Sequence, residues 1–434
     1  MAKNSYIIDT NVFLHDPHVM GAFKDSEIVI LLPVLEELDD LKRHTDERGK
    51  NARNLMRTLD ALKSQGGDIQ KGIVDDNGNT VRVQSVAQSM ERGEFPLALE
   101  RMDRKLTMVH QIAKKNPEAV FVSKDFVMRI KAEAIGLKSQ DYENLKVSYN
   151  KLYKGYRKLD VEKAQIDMFF KDGTLAMNIE NLRPNEFCIM TSAEKSSAVG
   201  RYNKEKKRLE PLLKVSQDIW GILPLNIEQK CALDLLLRDD VKLVTLVGPA
   251  GTGKTLLTIA AALRKVFDEG LYSRILISRP IVPLGKDIGY LPGTKEEKLI
   301  HWMQPIYDNL EYLCSSTTGE GNSETQSYIM ESGKIEMEAV TYIRGRSLPK
   351  MYIIIDEAQN LTPHEVKTII SRAGQGTKVV LTGDPTQIDN PYLDKDSNAL
   401  TYTVGKFADH SLFGHMFLEK TERSALAALA AEIM

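Results

Sequence analysis

The chain has 434 residues, of which 42% are hydrophobic and 27% charged, and its formal net charge is −2. That length exceeds one ordinary hydrophobic core and predicts two or three domains, while the composition excludes a disordered chain. The near-neutral balance confines any nucleic-acid-binding surface to local basic patches.

No window reaches the ~18 uninterrupted apolar residues of a membrane-spanning helix. The opening MAKNSYIIDTNVFLHD lacks the charged and apolar regions of a secretory signal. Cys188, Cys231 and Cys314 are far apart and form no CxxC pair, which fits a reducing compartment and argues against structural zinc. The expectation is a cytoplasmic protein with no membrane partner.

Residues 1–146 alternate short apolar runs with amphipathic stretches, predicting an α/β layer fold with strands at Tyr6–Ile8, Ile28–Leu32 and Ala119–Ser123. Asp76-Asn77-Gly78-Asn79, between apolar flanks in Ile73–Val86, predicts a hairpin. Four acids punctuate this region. Asp9 follows a strand in IIDTN, Glu37 lies on a predicted helix in PVLEELDDLK, Asp103 sits in ALERMDRKL, and Asp125 ends a strand in VFVSKD. Acids at strand ends and helix starts along one sheet edge can converge on Mg²⁺ or Mn²⁺, hard cations that take oxygen ligands. Dispersed surface acids would satisfy the same text.

Residues 147–217 predict a small β-containing connector with strand-like runs at Ile166–Phe170 and Glu186–Thr191. Tyr149, Lys151, Tyr153, Lys154, Tyr156, Arg157 and Lys158 interleave rings with cations. Such a strip can stack bases and meet phosphates, or its tyrosines can pack on a neighbour. Lys204, Lys206, Lys207 and Arg208 form a second basic run, readable as a solvated helix face as well.

Residues 218–434 return to α/β alternation, with predicted strands at Lys242–Val247, Arg274–Ser278, Met337–Ile343, Met351–Ile355 and Lys378–Thr382. Cys314–Lys334 is rich in Ser, Thr, Gly and Glu and predicts a mobile loop. The first strand runs into Gly248, Pro249, Ala250, Gly251, Thr252, Gly253, Lys254 and Thr255. Glycines there permit a turn whose backbone N–H groups face phosphate oxygens at a helix N-terminus. Lys254 would neutralise the β/γ-phosphates of ATP, and the Thr255 hydroxyl would ligate Mg²⁺. In MYIIIDEAQ, Asp356 ends a strand where it can hold the Mg²⁺ shell, and Glu357 can activate water. Asp-Glu after a strand also suits a plain helix start. Gln387, in LTGDPTQID with Thr382 and Asp384, is a candidate γ-phosphate sensor, and Gln229 in LNIEQKCA a candidate adenine reader.

The order Gln, GPAGTGKT, DEAQ, GDPTQ resembles a superfamily 1 helicase core. SRPIVPLGKDIGYLPGTKEEKLIHWMQPIYDNLE and YIRGRSLPKMYIIIDEAQNLTPHEVKTIISRAGQGTKVVLTGDPTQID closely resemble the PhoH family of ATPases, over most of residues 218–434. That resemblance implies a RecA-like P-loop domain. It makes Arg344, Arg346, Arg279 and Arg423 candidate arginines for the γ-phosphate, in cis or across a subunit boundary. A plain surface ion pair is the other reading of each. Without a clear second RecA-like domain, it also implies oligomeric sites, as in a hexameric ring.

DTN, EELDDLK and VSKD…RIKAEAIGL, in that order over residues 1–141, resemble PIN-domain nucleases. The resemblance implies a metal site on Asp9, Glu37, Asp103 and Asp125, supported by Thr10, Asn11 and Ser123. Met102 departs from the polar or acidic residue common before the third Asp, and Glu100 stands on the same helical face. The two halves together resemble PIN–PhoH fusion proteins. They imply an ATP- and Mg²⁺-dependent RNA helicase or translocase joined to a metal-dependent endoribonuclease. The alternative is a remodelling or switch ATPase whose PIN domain only docks RNA.

Overall fold

In the computed structural model the described residues are 4–44, 47–85, 104–142, 147–177, 179–214, 218–280, 295–318, 322–343, 346–390 and 393–422. Asp103, Glu100, Met102, Arg344 and Arg423 lie outside them. The chain divides into two units, residues 1–145 and 146–434.

The first unit is one sheet with helices. Its strands are β1 (Ser5–Ile8), β2 (Glu27–Leu31), β3 (Ile73–Val74), β4 (Thr80–Gln84), β5 (Val120–Val122) and β6 (Lys138–Gln140), in spatial order β3-β4-β2-β1-β5-β6. All pairings are parallel except the β3–β4 hairpin at the Asp75–Asn79 turn. Ile7, Ile8, Ile28, Val29, Ile30 and Phe121 are fully buried, as a parallel sheet covered on both faces requires. The helices are α1 (Thr10–His15), α2 (Leu32–Leu41), α3 (Glu47–Ser64), α4 (Arg104–Lys115) and α5 (Phe126–Ala134). Asp9 caps α1 by accepting from the Thr10 N–H, and Asp125 caps α5 by accepting from Val127 and Met128. Two of the candidate acids therefore sit where parallel strands end and helices begin.

The second unit opens with a five-stranded sheet: β7 (Tyr156–Asp160), β8 (Leu175–Ala176), β9 (Phe187–Thr191), β10 (Ser197–Asn203) and β11 (Arg208–Pro211), with helix α6 (Lys163–Asp172). The run Ile166–Phe170 is thus helical, not a strand. Glu162 and Gln165 form a capping box, Gly173 closes the helix in the left-handed region, and Ile166 and Phe169 face the core three residues apart. The basic run 204–208 falls on the tip of the β10–β11 hairpin and into β11, not on a helix.

The large sheet of this unit is wholly parallel, in order β14-β13-β15-β16-β12-β17. Its strands are β12 (Leu243–Val247), β13 (Arg274–Arg279), β14 (Ile335–Ala339), β15 (Met351–Ile355), β16 (Lys378–Gly383) and β17 (Phe413–Phe417). Every residue of β12 and β15 is buried. Around the sheet lie α7 (Ile227–Leu237), α8 (Lys254–Leu263), α9 (Lys295–Thr318), α10 (Asn322–Glu331), α11 (Pro363–Ile370) and α12 (Ala399–Phe407). The stretch Cys314–Lys334 is mostly helix rather than loop, because Cys314 and Ile329 bury themselves in the core despite the polar composition around them. The strand expected over Met337–Ile343 stops at Ala339 and continues as a 3₁₀ turn.

The five-stranded sheet is held to the large one. Asn185 Nδ2 donates to the carbonyls of Ser411 and Phe413 at 2.8 and 2.7 Å. A Cβ at Gly155 would lie 2.0 Å from the His415 carbonyl oxygen, so only glycine allows that approach.

Lys378, wholly buried, donates to the carbonyls of Leu235, Arg238 and Val241 at 2.7, 2.7 and 3.0 Å. The Leu235 and Arg238 carbonyls belong to the C-terminal end of α7, where carbonyls lack helical partners, and that of Val241 to the segment leading into β12. Lys378→Met should leave all three unmet and cost on the order of 3 kcal/mol. The expected readout is a lower urea midpoint; an unchanged midpoint would mean the ammonium does not close α7.

Candidate ATP and metal sites

The phosphate loop follows from the end of β12. Gly248 has φ 156°, and a Cβ there would stand 2.1 Å from the Leu418 carbonyl oxygen. Gly251 and Gly253 have φ 82° and 87°. The result is a backbone cradle ahead of α8 that side chains would fill. Lys254 Nζ donates to the loop carbonyls of Gly248 and Pro249 at 2.7 and 2.8 Å, so its ammonium already lies over the loop.

Asp356 leaves β15 beside this loop. Its Oδ1 accepts from Thr255 Oγ1 at 2.9 Å and Thr382 Oγ1 at 2.6 Å. Two hydroxyls and a carboxylate thus meet at one point, an oxygen set suited to Mg²⁺. Glu357 follows with φ 54°, an uncommon conformation for a non-glycine residue that turns the chain sharply after the strand. Its carboxylate is 3.2 Å from Arg279 Nη2. Gln359, fully buried, donates to that carboxylate and to the Gln387 carbonyl, and accepts from the Asp384 N–H at 3.1 Å.

The other expected residues divide. Gln229 is buried; it accepts from the Leu225 N–H at 2.8 Å and donates to the Thr252 carbonyl at 3.1 Å. Its amide therefore ties the segment before α7 to the phosphate loop. Arg346 pairs with Glu338 at 2.7 Å and Glu336 at 3.2 Å on β14. Three strands separate β14 from β12, about 19 Å at ordinary strand spacing. The connector tyrosines are taken up by packing. Tyr149 meets Phe417, Tyr153 lies between His415 and Arg183, and the Tyr156 hydroxyl donates to Glu419.

In the first unit, Asp9 is buried at the end of β1. Its Oδ2 accepts from Ser123 Oγ at 2.7 Å and Asn11 Nδ2 at 2.9 Å. Ser123 Oγ also accepts from the Asp125 N–H at 3.1 Å. Glu37 accepts a short bond from the Thr10 hydroxyl. Lys105, a residue the sequence reading missed, joins them, with Nζ 2.8 Å from both Asp9 Oδ1 and Glu37 Oε2. Burial alone would lower the Lys105 pKa, but the Asp9 and Glu37 carboxylates outweigh it and hold it raised. Asp9 and Glu37 thus meet on one ammonium, while the Asp125 carboxylate caps α5; among the described residues no group of three or more His, Cys, Asp or Glu side chains gathers as a metal site would require. Gln359 was likewise missed, although it stands in the quoted DEAQ; Lys105 stands two residues after Asp103.

A phosphate cradle facing a strand-end Asp-Glu, and strand-end carboxylates on a separate parallel sheet, define a P-loop ATPase domain joined to a PIN domain. The family model described as PhoH-like protein matches residues 221–434, and the one described as PIN domain matches residues 6–143. Protein PhoH2 of Bacillus subtilis (strain 168) is 43% identical over 99% of both chains. Protein PhoH2 of Mycolicibacterium smegmatis is 34% identical over 100% of this chain and 97% of its own. The chain belongs to the PhoH2 family. Among solved structures, the UvsW helicase from bacteriophage T4 aligns over 68% of this chain and 77% of its own, at 16% identity and TM-score 0.28, too distant to add to the assignment.

Lys254→Ala and Glu357→Gln should part company. The first removes a charged donor from phosphate, so ATP affinity should fall about 10- to 100-fold. The second should keep ATP bound while turnover drops about 10²–10⁴-fold. Nucleotide binding and steady-state phosphate release on both variants test this; wild-type turnover by either would reassign the residue.

Proposed function

We propose that the chain is an ATP- and Mg²⁺-dependent RNA helicase or translocase coupled to a metal-dependent endoribonuclease. The observation that carries it is the meeting of Thr255, Thr382 and Asp356 beside the phosphate cradle, in one chain with the buried Asp9 cluster. Bound Mg²⁺ would supply neutralisation of the phosphates. Lys254 exchanges loop carbonyls for phosphate oxygens. Thr255 and Asp356 would hold the ion, and Glu357 would take the proton of the attacking water. Gln387 reports the γ-phosphate through Gln359, which touches both Glu357 and the 384–387 loop.

At the PIN domain, Asp9, Glu37, Asp103 and Asp125 would be the residues to hold Mg²⁺ or Mn²⁺, which would supply water activation for phosphodiester hydrolysis, with Ser123 and Asn11 fixing Asp9. RNA rather than DNA follows from the family resemblance. Among the described residues, Arg346 is spent on β14 and Arg279 on Glu357. A γ-phosphate arginine, whether Arg344, Arg423 or one released from its pair, would then act best across a subunit boundary, in a hexamer. Three free, buried cysteines suit a cytoplasmic protein. No helix among the described residues is long and apolar enough to cross a membrane.

One observation favours the second reading, a switch ATPase with a PIN domain that docks RNA. The Arg279–Glu357 pair holds the candidate base on an internal cation, so hydrolysis would wait on a partner that draws Arg279 away.

Comparison of a hairpin RNA with an unstructured RNA of equal length separates the two. Wild type with ATP should cut both. Lys254→Ala should cut the unstructured RNA nearly normally and lose most stem cleavage, because each base-pair step resists opening by ~1.4 kcal/mol, taking DNA stacking as the guide. Asp9→Asn should cut neither while ATP turnover persists. Equal cleavage of both RNAs by Lys254→Ala would favour the switch. For assembly, native mass measurement should give a hexamer; full ATPase activity in a monomer would count against shared sites.

A further inference from the structure

We infer that the nucleotide site grips its base by an apolar face and reads no base edge, so that GTP, CTP and UTP are substrates alongside ATP. The inference rests on the ATPase reading of that site.

The phosphate loop has two flanks. On one lie Asp356, Thr382 and Glu357, where the γ-phosphate and its attacking water belong. A triphosphate laid in the loop with that end at Glu357 sends its nucleoside toward the other flank. Two segments form this second flank, and both touch the loop. Gln229, near the start of α7, donates to the Thr252 carbonyl at 3.1 Å, and the Glu422 amide donates to the Gly251 carbonyl at 3.0 Å. Asn226 joins the two segments, its Nδ2 donating to Glu422 Oε1 at 2.8 Å.

The polar side chains of this flank are committed to the protein. Gln229 is only 4% exposed. Its Oε1 accepts from the Leu225 N–H at 2.8 Å while Nε2 serves Thr252. Turning that amide to a base would leave both backbone groups without a partner, which is costly. Asn226 Oδ1 accepts from the Gln229 N–H at 2.9 Å as the cap of α7. Glu228 Oε2 accepts from the amides of Glu419 and Lys420 at 2.7 and 3.3 Å. Lys230 and Lys420 are exposed, but a flexible ammonium is a point charge that suits ring nitrogens and carbonyls alike.

What the flank offers to solvent is apolar. Leu223, Leu225 and Ile227 are 65%, 69% and 43% exposed, three large aliphatic side chains within five residues. Gln229 pins the middle one to the loop through its backbone N–H. Single exposed aliphatics are ordinary, whereas a cluster beside a binding loop marks a contact surface. Such a surface takes any base, because every base has a ring face to lay on it. A site that hydrogen-bonds a distinguishing group rejects the ligand lacking it by about 10⁴–10⁵. Here the amides and carboxylate that could do so are already taken.

Steady-state phosphate release by the full-length chain, compared across ATP, GTP, CTP and UTP, tests this. Values of kcat/KM within about tenfold of one another are expected, and a wider preference for ATP would overturn the proposal. Leu225→Ala should raise KM for all four about three- to tenfold with kcat little changed. No rise, or a rise for ATP alone, would count against the apolar grip. Gln229→Ala should lower turnover of all four by a common factor, as the loss of a loop tie; a loss confined to ATP would make Gln229 the base reader. If Gln229→Ala lacks the native circular dichroism, Gln229→Glu is judged by the same criterion. Displacement of ribose-labelled methylanthraniloyl-ATP by the four nucleotides reads the base contact without turnover. Hydrolysis of none of them would remove the ATPase reading, while equal or unequal displacement would still decide how the base is held.

Discussion

One carboxylate organises the larger unit. Asp356 Oδ1 accepts the hydroxyls of Thr255 and Thr382, so the start of α8 and the ends of β15 and β16 meet at a single oxygen. This is possible because β16 lies between β12 and β15, bringing three strand ends side by side. The Asp356 amide also donates to the Ser278 carbonyl, adding β13 to the junction. The turn at Glu357 then follows from position. A chain locked at Asp356 must bend at once to deliver the next carboxylate, and it does so through a strained left-handed residue.

Both sites solve the same electrostatic problem. Acids gathered at strand ends repel one another unless positive charge lies among them. In the ATPase domain Arg279 lies on Glu357, and Lys254 rests on loop carbonyls. In the PIN domain Lys105 lies between Asp9 and Glu37. In each arrangement a cation lies against the acids and offsets their mutual repulsion. Gln359 joins the Glu357 carboxylate to the 384–387 loop through one buried amide.

Of the two parts its sequence allows, the tyrosine strip of the small sheet takes the packing one. Tyr153 and Tyr149 pack against β17, and Asn185 reaches carbonyls at that strand's start. Segment 149–158 thereby secures an edge of the ATPase sheet. Lys204, Lys206 and Lys207 are exposed on a hairpin tip, Lys206 paired with Glu210.

The sequence by itself determined the phosphate loop, the Asp356-Glu357 strand end and the parallel strands feeding them. These depend on local features: a glycine pattern, an unbroken apolar run, a carboxylate at its end. It also placed Asp9 and Asp125 at strand ends, because capping an adjacent helix is a local act. Only the tertiary structure decided what each side chain meets across space. It made 166–170 a helix, since Ile166 and Phe169 had a sheet to cover, and it made most of 314–334 helical, since Ile329 had a core to enter. It turned the tyrosines inward, set Arg346 on β14, and brought Lys105 to acids 96 and 68 residues away. A partner that distant leaves no trace in local spacing, because the pairing is fixed by strand order and not by sequence separation.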